Sequence, residues 1–412
     1  MSTKFTGFLM LTRIKFVLCT FLVCLATTTT WGQTSLTEFQ KALQEKAAFQ
    51  QTDFAALQLN RPVVRLAPSS DKREIAVSGL VNIRVGADDF LRTYRESMTQ
   101  KTSSAILEIG SFSAEPSLND LAGLTLEAGD IEDLKDCLVG DCQIKLSAAM
   151  IERFRKEIDW TSPDYQLAVT NLFKQILTDY VRDYRARGDA ALIEYNDKPD
   201  EVSLADEQRT LNGASSYIND QLTNAKSNLE LAQDSIVWSK IKFGLKPVIA
   251  INHIRIYKRN SDAGPQVLIA SNQIYANHYF NASRALTAFV NVPGVNDGAY
   301  LVYENRSRAD GLEGPFGKIK RGLVEKKALE GLKSILEHSQ ASLGGSAITA
   351  GTDDLAEYQS NGWSHRLFGG IRPLLWLLVL SALIALLVLG RRRVDNATAP
   401  KGKALKPESA KS

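Results

Sequence analysis

The pattern of apolar and polar positions divides the chain into a helical start, a strand pair, a helical middle, a run of strands and a long last helix. Leu36 and Thr37 followed by Gln40 read as a capping box with Leu36 as its staple, and Phe39, Leu43 and Ala47 share one stripe, which predicts a helix over 36–49. Over 75–85 the odd positions include Ile75, Val77, Val81, Ile83 and Val85, and the even ones Ser78, Asn82 and Arg84. That period of two predicts a half-buried strand, with 62–66 as its partner across the polar turn 68–72. Phe90, Leu91 and Tyr94 predict a short helix over 87–99, and the apolar run 105–112 another strand.

In the middle, Ser162 and Pro163 suit the start of a helix that carries Leu172, Phe173, Ile176, Leu177, Tyr180, Val181 and Tyr184 at three- and four-residue spacing and stops at Gly188. A weaker helical pattern covers 215–232, and the polar stretch 197–212 reads as a loop or short helical piece. From Val237 the period returns to two: strands are predicted over 237–245, 248–257, 267–275, 279–292 and 300–305, with turn-like breaks at 258–265 and 293–298. Over 316–339, Ile319, Leu323, Val324, Ala328, Leu332, Ile335 and Leu336 fall on one side and the lysines mainly elsewhere. The expected fold is α+β: an antiparallel sheet ending in a long C-terminal helix, with a helical insertion at about 147–232.

Both ends carry targeting patterns. Lys4, Arg13 and Lys15 precede an apolar run over 16–26 and then small residues up to Gly32; the run is too short for a bilayer core of ~30 Å. Residues 1–32 therefore read as a cleaved signal peptide, with Cys19 and Cys24 as ordinary members of its apolar run. The uncharged stretch from Pro373 to Gly390, dominated by Leu and followed by Arg391, Arg392 and Arg393, would reach about 27 Å as a helix. A transmembrane helix is expected over 371–390, a disordered basic cytoplasmic tail over 391–412, and a flexible tether rich in Gly, Ser, Thr and Ala over 341–366. With the arginines inside, 33–340 is a large domain outside the membrane, in a single-pass type I arrangement.

Composition sharpens this picture. The whole chain is +3, but the basic residues of the two ends leave 38 basic and 44 acidic residues in 33–366, a net charge of −6. A partner that selects a basic face, such as nucleic acid, is not expected.

The stretches WSKIKFGLKPVIAINHIRIY (238–257), ASNQIYANHYFNASRALTAFV (270–290) and YLVYENRSRADGL (300–312) resemble those of a set of bacterial exported, membrane-tethered proteins of unassigned function. That resemblance implies a bacterial inner-membrane protein whose large domain is periplasmic. The order of elements is also similar to the START-type helix-grip fold, in which a long C-terminal helix lies across a curved sheet and the space between them takes lipids or other hydrophobic ligands.

Candidate chemistry is sparse. Cys137 and Cys142 are the only cysteines outside the signal peptide, and in an oxidising compartment they are expected to close a small disulfide loop. Asp130, Glu132, Asp133, Asp136 and Asp141 crowd the same region without the spacing of a calcium loop, so no metal is expected. The glycines between Gly311 and Gly317 lack the spacing of a phosphate loop. His253 and His278 fall in predicted strands and belong to no catalytic motif, so no catalytic residue or cofactor is assigned. What remains is aromatic area: Tyr275, Tyr279, Phe289 and Tyr300 on the sheet, with Ile319, Leu323 and Leu332 on the last helix, could enclose a hydrophobic or amphipathic ligand whose anionic head Arg306 would hold. The alternative is a scaffold or interaction module of a cell-envelope complex with a filled core.

Overall fold

The computed structural model describes residues 36–101, 105–214, 216–224, 228–242, 246–261, 264–292, 298–313 and 317–344. The stretches expected to form a signal peptide, a transmembrane helix, a basic tail and the tether beyond 344 lie outside the described residues. Among the described residues no helix is long and apolar enough to cross a membrane.

Eight antiparallel strands form one sheet: β1 (Val63–Leu66), β2 (Glu74–Ile83), β3 (Ile106–Ser111), β6 (Glu230–Ile241), β7 (Val248–Ser261), β8 (Gly264–Ala276), β9 (Ala282–Asn291) and β10 (Ala299–Arg308), while β4 (Glu194–Tyr195) and β5 (Val202–Ser203) make a separate small hairpin. The spatial order is β1-β2-β10-β9-β8-β7-β6-β3. The four hairpins joining β6 to β10 follow the sequence order, as short turns between strands require. The strands β2 and β10 also pair, Ala299 opposite Ile83 and Arg308 opposite Glu74, so the early strand pair closes onto the last strand. The strand β3 pairs only with β6, at the opposite edge.

Helices cover both faces. On one lie α3 (Ala87–Ser97) and the last helix, α9 (Gly317–Gly344), packed on Ile75, Val77, Val81, Ile254, Ile269, Phe289, Leu301 and Tyr303. On the other, α1 (Leu36–Ala47), α2 (Gln51–Gln58) and α8 (Tyr217–Asn224) cover Leu80, Leu268, Leu286, Val290, Tyr300 and Val302. Beside them α4 (Ala128–Lys135), α5 (Ala148–Glu157), α6 (Tyr165–Arg187) and α7 (Leu204–Gly213) cover Ile236, Trp238, Ile251, Ile274 and Tyr275.

This second layer explains the main departures from the predicted pattern. The strand β2 is buried on both faces, not half-buried, because its small or weakly polar even positions Ala76 and Ser78 sit under the second layer. The helical block reaches beyond 147–232 at its start, since α4 already belongs to it, while the predicted 215–232 helix stops at Asn224 and β6 starts at Glu230. The stretch 197–212 contains a true helix, α7, whose N-cap Ser203 accepts a bond from Asp206 N. The long helix α6 begins at Tyr165, with Ser162 and Pro163 in the preceding turn, and stops where Gly188 takes φ 60°. At the C-terminal end α9 continues through 341–344, the first residues assigned to the tether.

Two glycines mark places where the sheet demands closeness. A Cβ on Gly79 would lie 2.6 Å from Leu336 Cδ1 and 3.0 Å from Leu332 Cδ2, so α9 rests directly on the β2 backbone. A Cβ on Gly110 would lie 2.7 Å from the Trp238 ring, which crosses β3 so that Trp238 Nε1 can donate to Asp120 O at 2.8 Å.

Cys137 and Cys142 are bonded, with Cα atoms 4.5 Å apart. Gly140 turns the loop at φ 85°, and its amide and that of Cys142 donate to Asn196 O and Asp197 O, so the staple also fixes the segment before β5. Thiol labelling of denatured, unreduced protein should find neither cysteine free, and Cys142→Ser should weaken the fold by about 2 kcal/mol without preventing it. Labelling of both thiols would refute the pairing.

Candidate functional site

The residues expected to line one ligand site are distributed over the molecule. Leu332 and Phe289 are buried in the core under α3 and α9, with Phe289 stacked on Phe90 at 5.3 Å. Tyr275 is fully buried on the opposite face, beneath α6, and Tyr300 stacks on Phe39 of α1 at 5.2 Å. Tyr279 is half-buried in the β8–β9 turn at φ 65°, where its hydroxyl accepts from Lys246 N at 3.1 Å. Ile319 and Leu323 point away from the sheet, 70% and 40% exposed, because the buried stripe of α9 is Val324, Ala328, Leu332, Ile335, Leu336 and Leu343. Arg306 is ion-paired with Glu74 and also donates to Pro68 O at 3.2 Å. The structure thus brings Leu332 and Phe289 into one core, with Tyr279 packed against it, and does not gather the other five around them.

The depression beside Arg306, lined by Lys46, Ala67, Val77, Ser78, Glu304 and Asn305, encloses no room for a water molecule. Among the described residues no group of three or more His, Cys, Asp or Glu side chains could hold a metal ion.

The polar chemistry lies in buried networks. At the β8–β9 turn, His278 Nε2 is 3.1 Å from Asp130 Oδ1, which also receives Lys246 Nζ at 3.1 Å. Burial opposes ionisation of Asp130, but the bond from His278 and the charges of His278 and Lys246 outweigh it and hold the carboxyl below its usual range. Next to it Lys145 is buried: its ammonium is 3.5 Å from Asp197 Oδ1, 3.0 Å from Asn281 Oδ1 and 4.5 Å from the Tyr195 ring centre. His278 itself sits in the turn after β8, not in a strand, so its ring is free to leave the sheet plane toward α4.

A second network surrounds His253 on β7. Tyr184 OH lies 2.8 Å from His253 Nδ1, Arg255 Nη2 lies 3.2 Å from the same nitrogen, and Asp234 Oδ1 lies 2.9 Å from Nε2. A guanidinium only donates, so Nδ1 accepts and the neutral ring carries its proton on Nε2, directed at Asp234. Burial, then the nearby Arg255 charge, pushes the His253 pKa below its usual value, and burial pushes that of Tyr184 up to about 12. The line Asp234, His253, Tyr184 has the connectivity of a relay, but it ends on a phenol that is 4% exposed.

A third network holds Glu304 of β10. Its carboxylate accepts from Ser216 Oγ and from Tyr217 N at 3.1 Å, at the start of α8, and burial raises its pKa to about 7. The sign follows from linkage: the folded state keeps this proton up to pH 7 whereas the unfolded chain releases it near 4.5, so stability falls as pH climbs between those values and is flat above. Arg306, Arg284 and Lys46 face the same region, and His253 titrates with the opposite slope, so the measured quantity is the difference between wild type and Glu304→Gln. The substitution should flatten the curve by roughly 3 kcal/mol over that window; identical pH profiles would remove the assignment.

Apart from His253 and His278, the members of these networks carried no sequence signal as a group, since Asp130, Lys145, Asp197, Lys246 and Asn281 are scattered over 150 positions and meet only through the turns. Comparison with protein families, with curated proteins and with solved structures finds no match for this chain.

Proposed function

We propose that residues 36–344 form a non-catalytic interaction module of a cell-envelope complex, held at the inner membrane by the stretch from Pro373 to Gly390 with the arginines behind it in the cytoplasm. The observation that carries this reading is the close approach of α9 to the sheet: Leu332 and Leu336 are fully buried and lie against the backbone at Gly79. Support also comes from the polar networks, whose carboxylates and imidazoles are engaged with one another, the Asp130–His278 pair beneath the surface and the Asp234–His253 pair at its edge. The alternative, a hydrophobic ligand between sheet and helix, would require α9 to lift from Gly79.

Thermal unfolding of the full chain in neutral detergent, with fatty acids, phospholipids and isoprenoids added in turn, separates the two. The interaction module should show no saturable rise in Tm with any of them; a bound hydrophobic ligand would raise it by mass action. A saturable rise, or a lipid that co-purifies in native mass spectrometry, would overturn the proposal.

A further inference from the structure

We propose that Lys145 and Asn281 join through a covalent side-chain amide, formed by the folded chain itself with Asp197 carrying the proton. The three side chains meet in the interior: Lys145 Nζ lies 3.0 Å from Asn281 Oδ1 and 3.5 Å from Asp197 Oδ1. Lys145, Asn281 and Asp197 are 4%, 0% and 7% exposed, so each is more than nine-tenths buried. The Tyr195 ring, its centre 4.5 Å from Nζ, lies against the same amine. Backbone bonds hold the three residues in place before any reaction: Lys145 N donates to Asn277 O, Asn281 N donates to Arg308 O, and Asp197 O accepts from Cys142 N, each at 2.9 Å. The amide carbon of Asn281 is one C=O bond, about 1.23 Å, from the oxygen that Nζ already touches, so amine and carbonyl carbon stay neighbours for the life of the fold. A carboxamide resists amines in water largely because the reactants do not remain together; holding them in one geometry supplies a high effective concentration.

The reaction needs no outside reactant. A proton passes from the Lys145 ammonium to the Asp197 carboxylate, which turns a buried ion pair into two neutral groups. The lone pair of Nζ then attacks Cγ of Asn281, forming the new N–C bond and moving the carbonyl electron pair onto Oδ1. Asp197 gives its proton to Nδ2 and takes one from Nζ. The carbonyl re-forms, the Cγ–Nδ2 bond breaks, and ammonia leaves. Lys145 and Asn281 end as a secondary amide and Asp197 as a neutral acid, with nothing oxidised or reduced. The ion pair is the state before reaction, and its energetics are those of a chain that has not reacted. The bond ties the segment that precedes α5 to the turn between β8 and β9, 136 positions away. It is a single turnover of the chain on itself and is independent of the function proposed above.

The test is mass spectrometry of the full chain, purified in neutral detergent and reduced. The intact mass should fall short of the sequence mass by about 17 Da, one ammonia. Cyclisation of an N-terminal Gln33 or of the Asn212–Gly213 step loses the same mass, so the location of the bond decides. Acylated Lys145 is no longer a trypsin site, and one tryptic species should therefore join the segment 136–153 to the segment 260–284. Lys145→Arg keeps the positive charge beside Asp197 but has no primary amine to react, and should leave the two segments separate. Asp197→Asn keeps the shape of the side chain and removes the proton carrier, and should also leave them separate. Wild-type protein that trypsin cuts after Lys145, with 260–284 recovered as a linear peptide, would overturn the proposal. So would a joined species that persists in Asp197→Asn.

Discussion

Replacing Asp197 by Ala should destabilise the protein by about 3–5 kcal/mol, measured by chemical denaturation in neutral detergent, because it strands a buried ammonium. In the unreacted chain the Lys145 and Asp197 side chains are only 5% and 7% exposed. Asn281 and the Tyr195 ring are among its other neighbours, and both are uncharged. The pair also joins segments far apart in sequence: Lys145 N donates to Asn277 O, and Asp197 O accepts from Cys142 N inside the disulfide loop. Losing it should therefore loosen the β8–β9 turn and the stapled loop together. The double variant Lys145→Met with Asp197→Leu removes both charges at similar volume and should recover most of the loss, since a buried ion pair contributes little net stability over an apolar pair. If Asp197→Ala costs less than about 1 kcal/mol, the lysine finds solvent and the turn is not held by this pair.

At the other end of the sheet, Leu332→Ala should cost about 2–5 kcal/mol, and no hydrophobic additive should restore the loss. Leu332 is fully buried, on the same stripe as Ala328, Ile335 and Leu336 of its own helix and against the β2 backbone at Gly79. Gly79→Ala probes the same contact from below: the new methyl would meet Leu336 Cδ1 at 2.6 Å, so α9 must shift, at about 1–3 kcal/mol. Joining Gly79→Ala with Leu336→Ala should cost less than the sum of the two single changes, because the truncated leucine leaves room for the methyl. Strict additivity of the two, or an inexpensive Leu332→Ala, would mean that α9 does not rest on β2 and would reopen the ligand reading.

The elements with a periodic apolar stripe were legible in the chain. The stripe Phe39, Leu43, Ala47 gave α1, and the alternation from Ile75 gave β2; the last helix was visible from Val324 to Leu336. Its stripe was drawn too wide at the start, since Ile319 and Leu323 lie on the side of the helix opposite Val324, Ala328, Leu332 and Ile335. The short helices α2, α4 and α5 escaped notice: each is 8 to 10 residues long, too short for a periodic pattern to stand out. The second helical layer was invisible for a related reason. Small residues such as Ala76, Ala270 and Ala288 fit under helices as readily as they face water, so their burial leaves no mark in the sequence. The polar networks depend on which turns meet, and no local pattern encodes that. The partners of the two histidines, Asp234 for His253 and Asp130 for His278, could be found only in three dimensions.

The pairing of β2 with β10 has a consequence for how the chain is made. Residue 83 leaves the ribosome long before residue 299, and at about 5–20 residues per second the interval is roughly ten to forty seconds. Throughout that time the β1–β2 hairpin has a free edge lined by Ile75, Val77, Val81 and Ile83, and the apolar stripe of α9 that will cover it does not yet exist. Contacts that close loops this long also form slowly, because their entropy is lost before any bond repays it. The β1–β2 hairpin is therefore expected to keep its apolar face uncovered until β10 and α9 have been made.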